Sequence, residues 1–285
     1  MRILILGGAG MLGHQLWRQL HLRHEVWVTL RQPLENYCGH GLFEVERTLT
    51  GVDVASDAAL AQVFRQACPE AVINCVGIIK QLREAYDPLV SIAINSLLPH
   101  RLNQLCRAYD SRLIHISTDC VFSGRKGGYS EQDVPDAEDL YGRTKLLGEV
   151  GGPQSLSLRT SIIGRELRTR SGLIDWFLSQ RGRTIKGYRR ALYSGFTTVE
   201  LARIIEHVLL RHPQLQGLWQ VSADIISKYE LLLLARDAFR WNGEIVPDDT
   251  LVCDRSLDST RFRTTIGYQP PSWPAMLTEL AAASE

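Results

Sequence analysis

Tyr141 and Lys145 stand four residues apart in Leu140-Tyr141-Gly142-Arg143-Thr144-Lys145-Leu146-Leu147-Gly148-Glu149, a stretch that reads as helical. Helical periodicity puts both side chains on one face. A phenol titrates near ~10, so Tyr141 is a poor acid or base at neutral pH unless a neighbouring cation stabilises its anion. The Lys145 ammonium is such a cation. Lowering the phenol pKa by roughly three units takes about 4 kcal/mol of differential stabilisation, enough for proton exchange with a carbonyl or hydroxyl oxygen at neutral pH. An isolated Tyr-x-x-x-Lys is more often a half-buried ring beside a solvated amine, so the elements around the pair must give it meaning.

Ile3 to Leu6 is an apolar run of strand length, Gly7-Gly8-Ala9-Gly10-Met11-Leu12-Gly13 follows, and His14 to Leu22 has helical spacing. The glycines fit both Gly8-x-Gly10-x-x-Gly13 and Gly7-x-x-Gly10-x-x-Gly13. Either lets backbone approach a pyrophosphate lying on a helix N-terminus. The glycines of either template, with Met11 and Leu12 in the turn that follows, are therefore candidate cofactor contacts. A second strand, Glu25 to Leu30, ends where a dinucleotide fold needs an acidic residue for the ribose 2'-hydroxyl; the chain has Arg31 and Gln32 there. Arginine suits a 2'-phosphate, which predicts NADPH over NADH. Gly51 to Val54 reads as a short third strand, with Asp53 and Val54 near an adenine.

Asp57 to Cys68 reads as a helix, Ala71 to Gly77 as a buried fourth strand, Asp87 to Tyr109 as a long helix and Arg112 to Ser117 as a fifth strand running into Thr118-Asp119-Cys120. Ser155 to Ser161 makes a sixth. Strands alternating with helices mean an α/β, doubly wound parallel sheet, in which ligands lie beyond the carboxyl ends of the strands. Gly7 to Gly13, Val76-Gly77, Ser117-Thr118 and Tyr141-Lys145 can then converge. Beyond Ser161 the pattern loosens. Residues 165 to 190 are locally basic, Thr198 to His212 and Lys228 to Arg240 read as helices, Leu218 to Val221 as a strand, and Asp248 to Glu285 as a tail punctuated by Pro270, Pro271 and Pro274.

The 285 residues carry a formal net charge of +1, so no long-range field recommends a nucleic-acid or membrane-surface partner. The six cysteines (38, 68, 75, 106, 120 and 253) show no CxxC pair and no metal-ligand spacing, and reduced thiols in a cytoplasmic protein are expected. The apolar run after Met1-Arg2 is far shorter than a signal-peptide core, and nothing approaches a membrane span.

Together, Gly7-x-x-Gly10-x-x-Gly13, Ser117-Thr118-Asp119, Val121-Phe122-x-Gly124 and Tyr141-Gly142-Arg143-Thr144-Lys145 resemble the extended short-chain dehydrogenase/reductases, most closely the dTDP-4-dehydrorhamnose reductase family. The resemblance is best over residues 1 to 165 and selects Gly7, Gly10 and Gly13 from the two glycine templates. It implies a Rossmann-type domain of residues 1–163 with 194–223, and a smaller, discontinuous substrate lobe of residues 164–193 with 224–285. It implies reduction of a nucleotide-linked 4-keto sugar: Thr118 on the substrate oxygen, Tyr141 giving the proton, Lys145 on the nicotinamide ribose, hydride from NADPH. Asn95 matches the family's helix asparagine and is expected to give structural support. Thr118, Asp119 and Cys120 would meet the substrate, with Lys80, Gln81, Arg165 and the basic run 181–190 as weaker candidates.

One departure matters. The related 4,6-dehydratases have Thr-Asp-Glu where this chain has Thr118-Asp119-Cys120, and a thiol titrating near ~8.5 cannot replace a carboxyl in water elimination. Dehydration is thereby disfavoured; and because the resembled family places an aromatic or acidic residue where Cys120 stands, its sugar contacts, and with them dTDP-rhamnose as the product, do not carry over directly. Epimerisation with a retained cofactor, and a non-catalytic NADP-binding regulatory subunit, are the competing readings. The sequence leaves homodimer formation open.

Overall fold

The structure is a computed structural model that describes residues 1–168 and 170–284, with the Cys38 side chain also outside the description. β1 (Arg2–Leu6) leads through the glycine loop into α1 (Met11–Leu20), and β2 (Glu25–Thr29) follows. β3 is Thr48–Leu49, not the expected Gly51 to Val54. Gly51 takes a left-handed φ of +67° and Val52 donates its N–H to the Leu30 carbonyl, so the chain has already turned off the sheet edge by then.

α2 (Asp57–Ala67) starts where the Ser56 hydroxyl accepts the Ala59 N–H and stops at Cys68, whose φ is +40°, ahead of Pro69. β4 (Ala71–Asn74) is buried throughout. The expected long helix comes in three parts: α3 (Pro88–Ser91), capped by Asp87; a π-helical turn over Ile92–Leu97; and α4 (Leu98–Ala108). β5 (Arg112–Thr118), α5 (Leu140–Leu147) and β6 (Ser155–Thr160) follow. Then come β7 (Ile162–Ile163), α6 (Leu173–Ser179), β8 (Thr184–Tyr188), β9 (Ala191–Tyr193), β10 (Phe196–Thr197), α7 (Thr198–Arg211), β11 (Gly217–Gln220) and β12 (Ile226–Ser227). α8 (Lys228–Ala238) opens on a capping box, Ser227 and Glu230 satisfying each other's backbone N–H groups.

The C-terminal stretch is no tail. It holds β13 (Glu244–Asp248), β14 (Cys253–Asp254), α9 (Thr260–Ile266) and α10 (Trp273–Ala282). Pro274 lies in the first turn of α10, where a helix has no N–H bond to lose.

Seven strands form one sheet in the order β11-β6-β5-β4-β1-β2-β3, and the pairs from β3 to β5 are parallel. The order reverses between β1 and β4, which in such sheets opens a ligand crevice at the carboxyl ends of those strands. Leu4, Leu6, Val72 and Leu113 of the sheet pack with Leu60 and Phe64 of α2 and Leu98 and Leu102 of α4, all fully buried. Each such side chain contributes roughly 1.5–3 kcal/mol. The start of β5 is tied down by Arg112, whose guanidinium donates to the carbonyls of Val208, His212 and Leu215 at and just beyond the end of α7.

The chain folds as two compact units: residues 1–117, 138–158 and 202–218 make the first, and residues 118–137, 159–201 and 219–285 the second. Residues 118–137, which the sequence assigns to the nucleotide domain, belong to the second. That unit carries the small pairings β12-β9-β14, β13-β8 and β10-β7. Among the described residues no helix is long and apolar enough to cross a membrane.

Candidate active site

Gly7, Gly8 and Gly13 are required by their surroundings, and Gly10 is closely packed. Gly7 has φ +81°. A Cβ on Gly13 would stand 2.2 Å from the Gly7 carbonyl oxygen, and one on Gly10 would stand 3.3 Å from that oxygen. Gly8, which the resemblance set aside, would drive a Cβ to 1.9 Å from Val28 Cγ2 and donates its N–H to the Thr29 carbonyl. Gly8 therefore locks the loop to β2. Gly7, Gly10 and Gly13 fold it over the start of α1, where Met11 and Leu12 lie in the first turn, whose N–H groups have no intrahelical acceptor. Backbone so bare and so directed fits a pyrophosphate.

Val76 and Gly77 follow β4 next to this loop; Val76 Cγ2 would touch a Cβ on Gly7 at 3.0 Å. Arg31 is exposed after β2. The Asp53 carboxylate accepts the Ala55 N–H at 3.0 Å, a turn-making role, and Val54 is half-buried beside it.

The Tyr141 helix is positioned from three sides within the first unit. Asp139 caps it, accepting the Gly142 N–H at 2.8 Å, and the same carboxylate holds Lys80 Nζ at 2.6 Å. That ammonium lies 5.5 Å from the centroid of the Tyr141 ring. Lys80, a weak substrate candidate by sequence, is thus engaged by protein. Asn95, in the π-helical turn, accepts the Ile78 N–H and donates to the Ile78 carbonyl and to Thr144 Oγ1. Ser96 adds a bond to the Thr144 carbonyl. The expected supporting asparagine joins the loop after β4 to α5.

Lys145 is only 5% exposed and donates to the Ile116 carbonyl at 2.7 Å. Burial lowers its pKa to about 8, partly offset by Glu149 and Cys75. Burial holds the Cys75 thiol near 12, so it stays neutral. Glu149, unmarked in the sequence, accepts a hydrogen bond from Ser117 Oγ at 2.8 Å. Its spacing of four from Lys145 was the available signal.

Lysine desolvation fixes a stability prediction. The folded pKa lies below the unfolded one, so the charged lysine costs stability below about pH 8. That cost disappears between about 8 and 10.5, where the unfolded chain still holds a proton that the folded one has released. In urea titrations the stability difference between Lys145→Met and the parent should shift steadily in the parent's favour across this window. A difference independent of pH would contradict the assignment.

In the second unit, Thr118 Oγ1 donates to Asp119 Oδ1 at 3.1 Å and accepts the Cys120 N–H at 3.1 Å. Thr118 and Asp119 are buried and Cys120 is half-buried. The basic run is largely neutralised: Arg165 pairs with Asp175, Lys186 with Asp248 and Arg189 with Asp249, while Arg181 donates to the carbonyls of Phe239 and Arg240. Gln81 is exposed. No disulfide joins Cys68, Cys75, Cys106, Cys120 or Cys253.

A parallel sheet with its glycine loop after the first strand, and a Tyr-x-x-x-Lys helix seated on the fifth, defines the extended short-chain dehydrogenase/reductase class. Within that class the chain belongs to the family described as the RmlD substrate binding domain, whose model matches residues 1–166. It is 30% identical over 149 residues to a dTDP-4-dehydrorhamnose reductase of Streptomyces griseus, covering 52% of this chain and 43% of that one. The match thus spans less than half of that relative's length. It is 26% identical over 309 residues to the methionine adenosyltransferase 2 subunit beta of Danio rerio, covering 96% of this chain and 90% of that one. Among solved structures, a hypothetical dTDP-4-dehydrorhamnose reductase from Sulfolobus tokodaii superposes with a TM-score of 0.79 at 27% identity, covering 96% and 98% of the two chains.

Proposed function

We propose that the protein reduces a nucleotide-linked 4-keto sugar with NADPH, its own residues handling the proton and the orientation. The observation that carries this is Lys145: a lysine desolvated against β5, one helical turn from a half-buried Tyr141, is costly to keep unless its charge is used. Gly7, Gly10, Met11, Leu12 and Gly13 would cradle the pyrophosphate, with Val76 and Gly77 lining the adjoining backbone, Asp53 and Val54 beside the adenine and Arg31 on the 2'-phosphate. NADPH held there would supply the hydride for the carbonyl carbon. Tyr141 holds the proton that the carbonyl oxygen takes up, and Lys145 stabilises the phenolate left behind while binding the ribose. Thr118 would turn its hydroxyl from Asp119 to the same oxygen, and Cys120, in place of a carboxyl, leaves the site without the acid that dehydration needs.

The test is a panel of nucleotide 4-keto sugars offered with NADPH or NADH, following loss of reduced nicotinamide. Turnover with one member supports the reading; tight NADPH binding with no turnover on any overturns it. That outcome is the signature of the second reading, a dinucleotide-binding regulatory subunit, which the 96% coverage by the Danio rerio subunit keeps in play. Tightly retained NAD and no consumption of external reductant would instead mark an epimerase.

Two further outcomes follow. Arg31→Ala should raise KM for NADPH about tenfold and leave that for NADH unchanged; an unaltered ratio removes Arg31 from the cofactor. Because the reaction needs the Lys145 ammonium, kcat/KM should decline as pH rises through about 8.

A further inference from the structure

His115 is a polar side chain that the reduction scheme leaves without a task. It lies midway along β5, is fully buried, and stands opposite Asn74 in the parallel pairing of β5 with β4. Its Nδ1 is 3.1 Å from Asn74 Nδ2. The direction of that bond follows from the other end of the amide. Asn74 Oδ1 accepts the Val76 N–H at 3.1 Å, and a main-chain N–H can only donate, so Nδ2 is the atom turned to the ring. An amide nitrogen has only hydrogens to offer, so Nδ1 accepts and the proton of the neutral imidazole sits on Nε2. Burial, Lys145 and His100 all lower the His115 pKa, which keeps the ring neutral.

Nε2 is buried and has no hydrogen-bond partner among the described residues. A buried donor left unbonded costs more than the single bond at Nδ1 contributes, so on stability alone a leucine would be the cheaper occupant of this position. What the imidazole adds is one acceptor, aimed at Asn74. That amide shapes the turn leaving β4, and the turn runs against the glycine loop: a Cβ on Gly7 would stand 3.0 Å from Val76 Cγ2 and 3.2 Å from the Val76 nitrogen. Asn95 holds the far end of the turn through both backbone groups of Ile78. The near end rests on Asn74, whose amide keeps one orientation because Val76 engages its oxygen and His115 its nitrogen.

We propose that His115 is a positioning residue for the dinucleotide: by accepting from Asn74 it fixes the turn from Asn74 to Gly77 against the Gly7 to Gly13 loop, and so sets the surface on which the cofactor lies. The inference rests on the reading of that loop as a cofactor cradle and is independent of which sugar is reduced. His115 itself touches no reactant; its effect reaches the cofactor through Asn74 and Val76.

The test replaces the two ring nitrogens separately. In His115→Asn the amide oxygen can take the place of Nδ1; in His115→Gln the longer side chain carries its polar end toward the place of Nε2 and leaves a carbon at the Nδ1 position. Glutamine is closer to histidine in size, so packing alone would favour it. Calorimetric titration with NADP should instead find His115→Asn within about twofold of the parent and His115→Gln at least about fivefold weaker. Nitrogen-15 NMR of the parent at neutral pH gives a second measurement that needs no variant to fold, and should place the His115 proton on Nε2. A proton on Nδ1, or a His115→Asn chain that binds NADP no more tightly than His115→Gln, overturns the proposal. Failure of the cofactor reading shows separately, as a parent chain that binds no NADP, and removes the proposal with it.

Discussion

Tyr141→Phe is expected to lower kcat for the proposed reduction by roughly 10²–10⁴-fold, the usual contribution of a placed proton donor. The change removes one hydroxyl from a half-buried ring and touches neither the Asp139 cap of α5 nor the Lys145 bond to the Ile116 carbonyl. Folding and NADP affinity should therefore survive, and the loss should fall on kcat rather than on KM. The measurement is steady-state NADPH oxidation beside fluorescence titration of the cofactor. Parent-like kcat in a variant that binds NADP normally would remove Tyr141 from the chemistry. Equal losses of binding and turnover would mean that the ring is structural.

Gly13→Ala should be the most damaging small substitution in the chain's first turn. Its new carbon would stand 2.2 Å from the Gly7 carbonyl oxygen and 2.9 Å from the Gly7 carbonyl carbon and Gly8 Cα, all backbone. Side chains can rotate away from a clash, whereas this loop must move bodily and the start of α1 with it. Overpacking of this kind costs about 1–3 kcal/mol or more, a fall in Tm of about 2–12 °C. The reshaped loop should also bind NADP at least tenfold more weakly. Gly39→Ala is the control, since nothing lies within 4 Å of the atom it adds. If Gly13→Ala matched that control in both Tm and NADP affinity, the glycine loop would not be the cofactor cradle.

The parts of this architecture that are legible in the sequence are those whose physics is local. An apolar run followed by glycines, a Ser56 or Asp139 ahead of a helix and a proline closing one can all be read along the chain. So can the pairing of Tyr141 with Lys145. Sequence and structure part where distant partners decide. Gly51 to Val54 has strand-like residues, yet the neighbouring strand offers its pairing edge at Thr48 and Leu49. Pro270, Pro271 and Pro274 look like the punctuation of a tail, although Pro274 only occupies the first turn of α10.

The π-helical turn has no composition of its own and reads along the chain as ordinary helix. The basic run misleads in the opposite sense: its partners Asp248 and Asp249 lie some sixty residues on and become visible only when β8 pairs with β13.

Gly148, just past α5, lets that helix sit directly on the backbone of the π-helical turn: a Cβ there would come within 1.9 Å of the Asn95 carbonyl oxygen. A saturation scan across this segment would score position 148 as intolerant although no reactant ever meets it. Residues that ligands touch can be exchanged for others of like chemistry, but an interval between two main chains has no substitute. The reach of Tyr141 is set, in the end, by an atom that is not there.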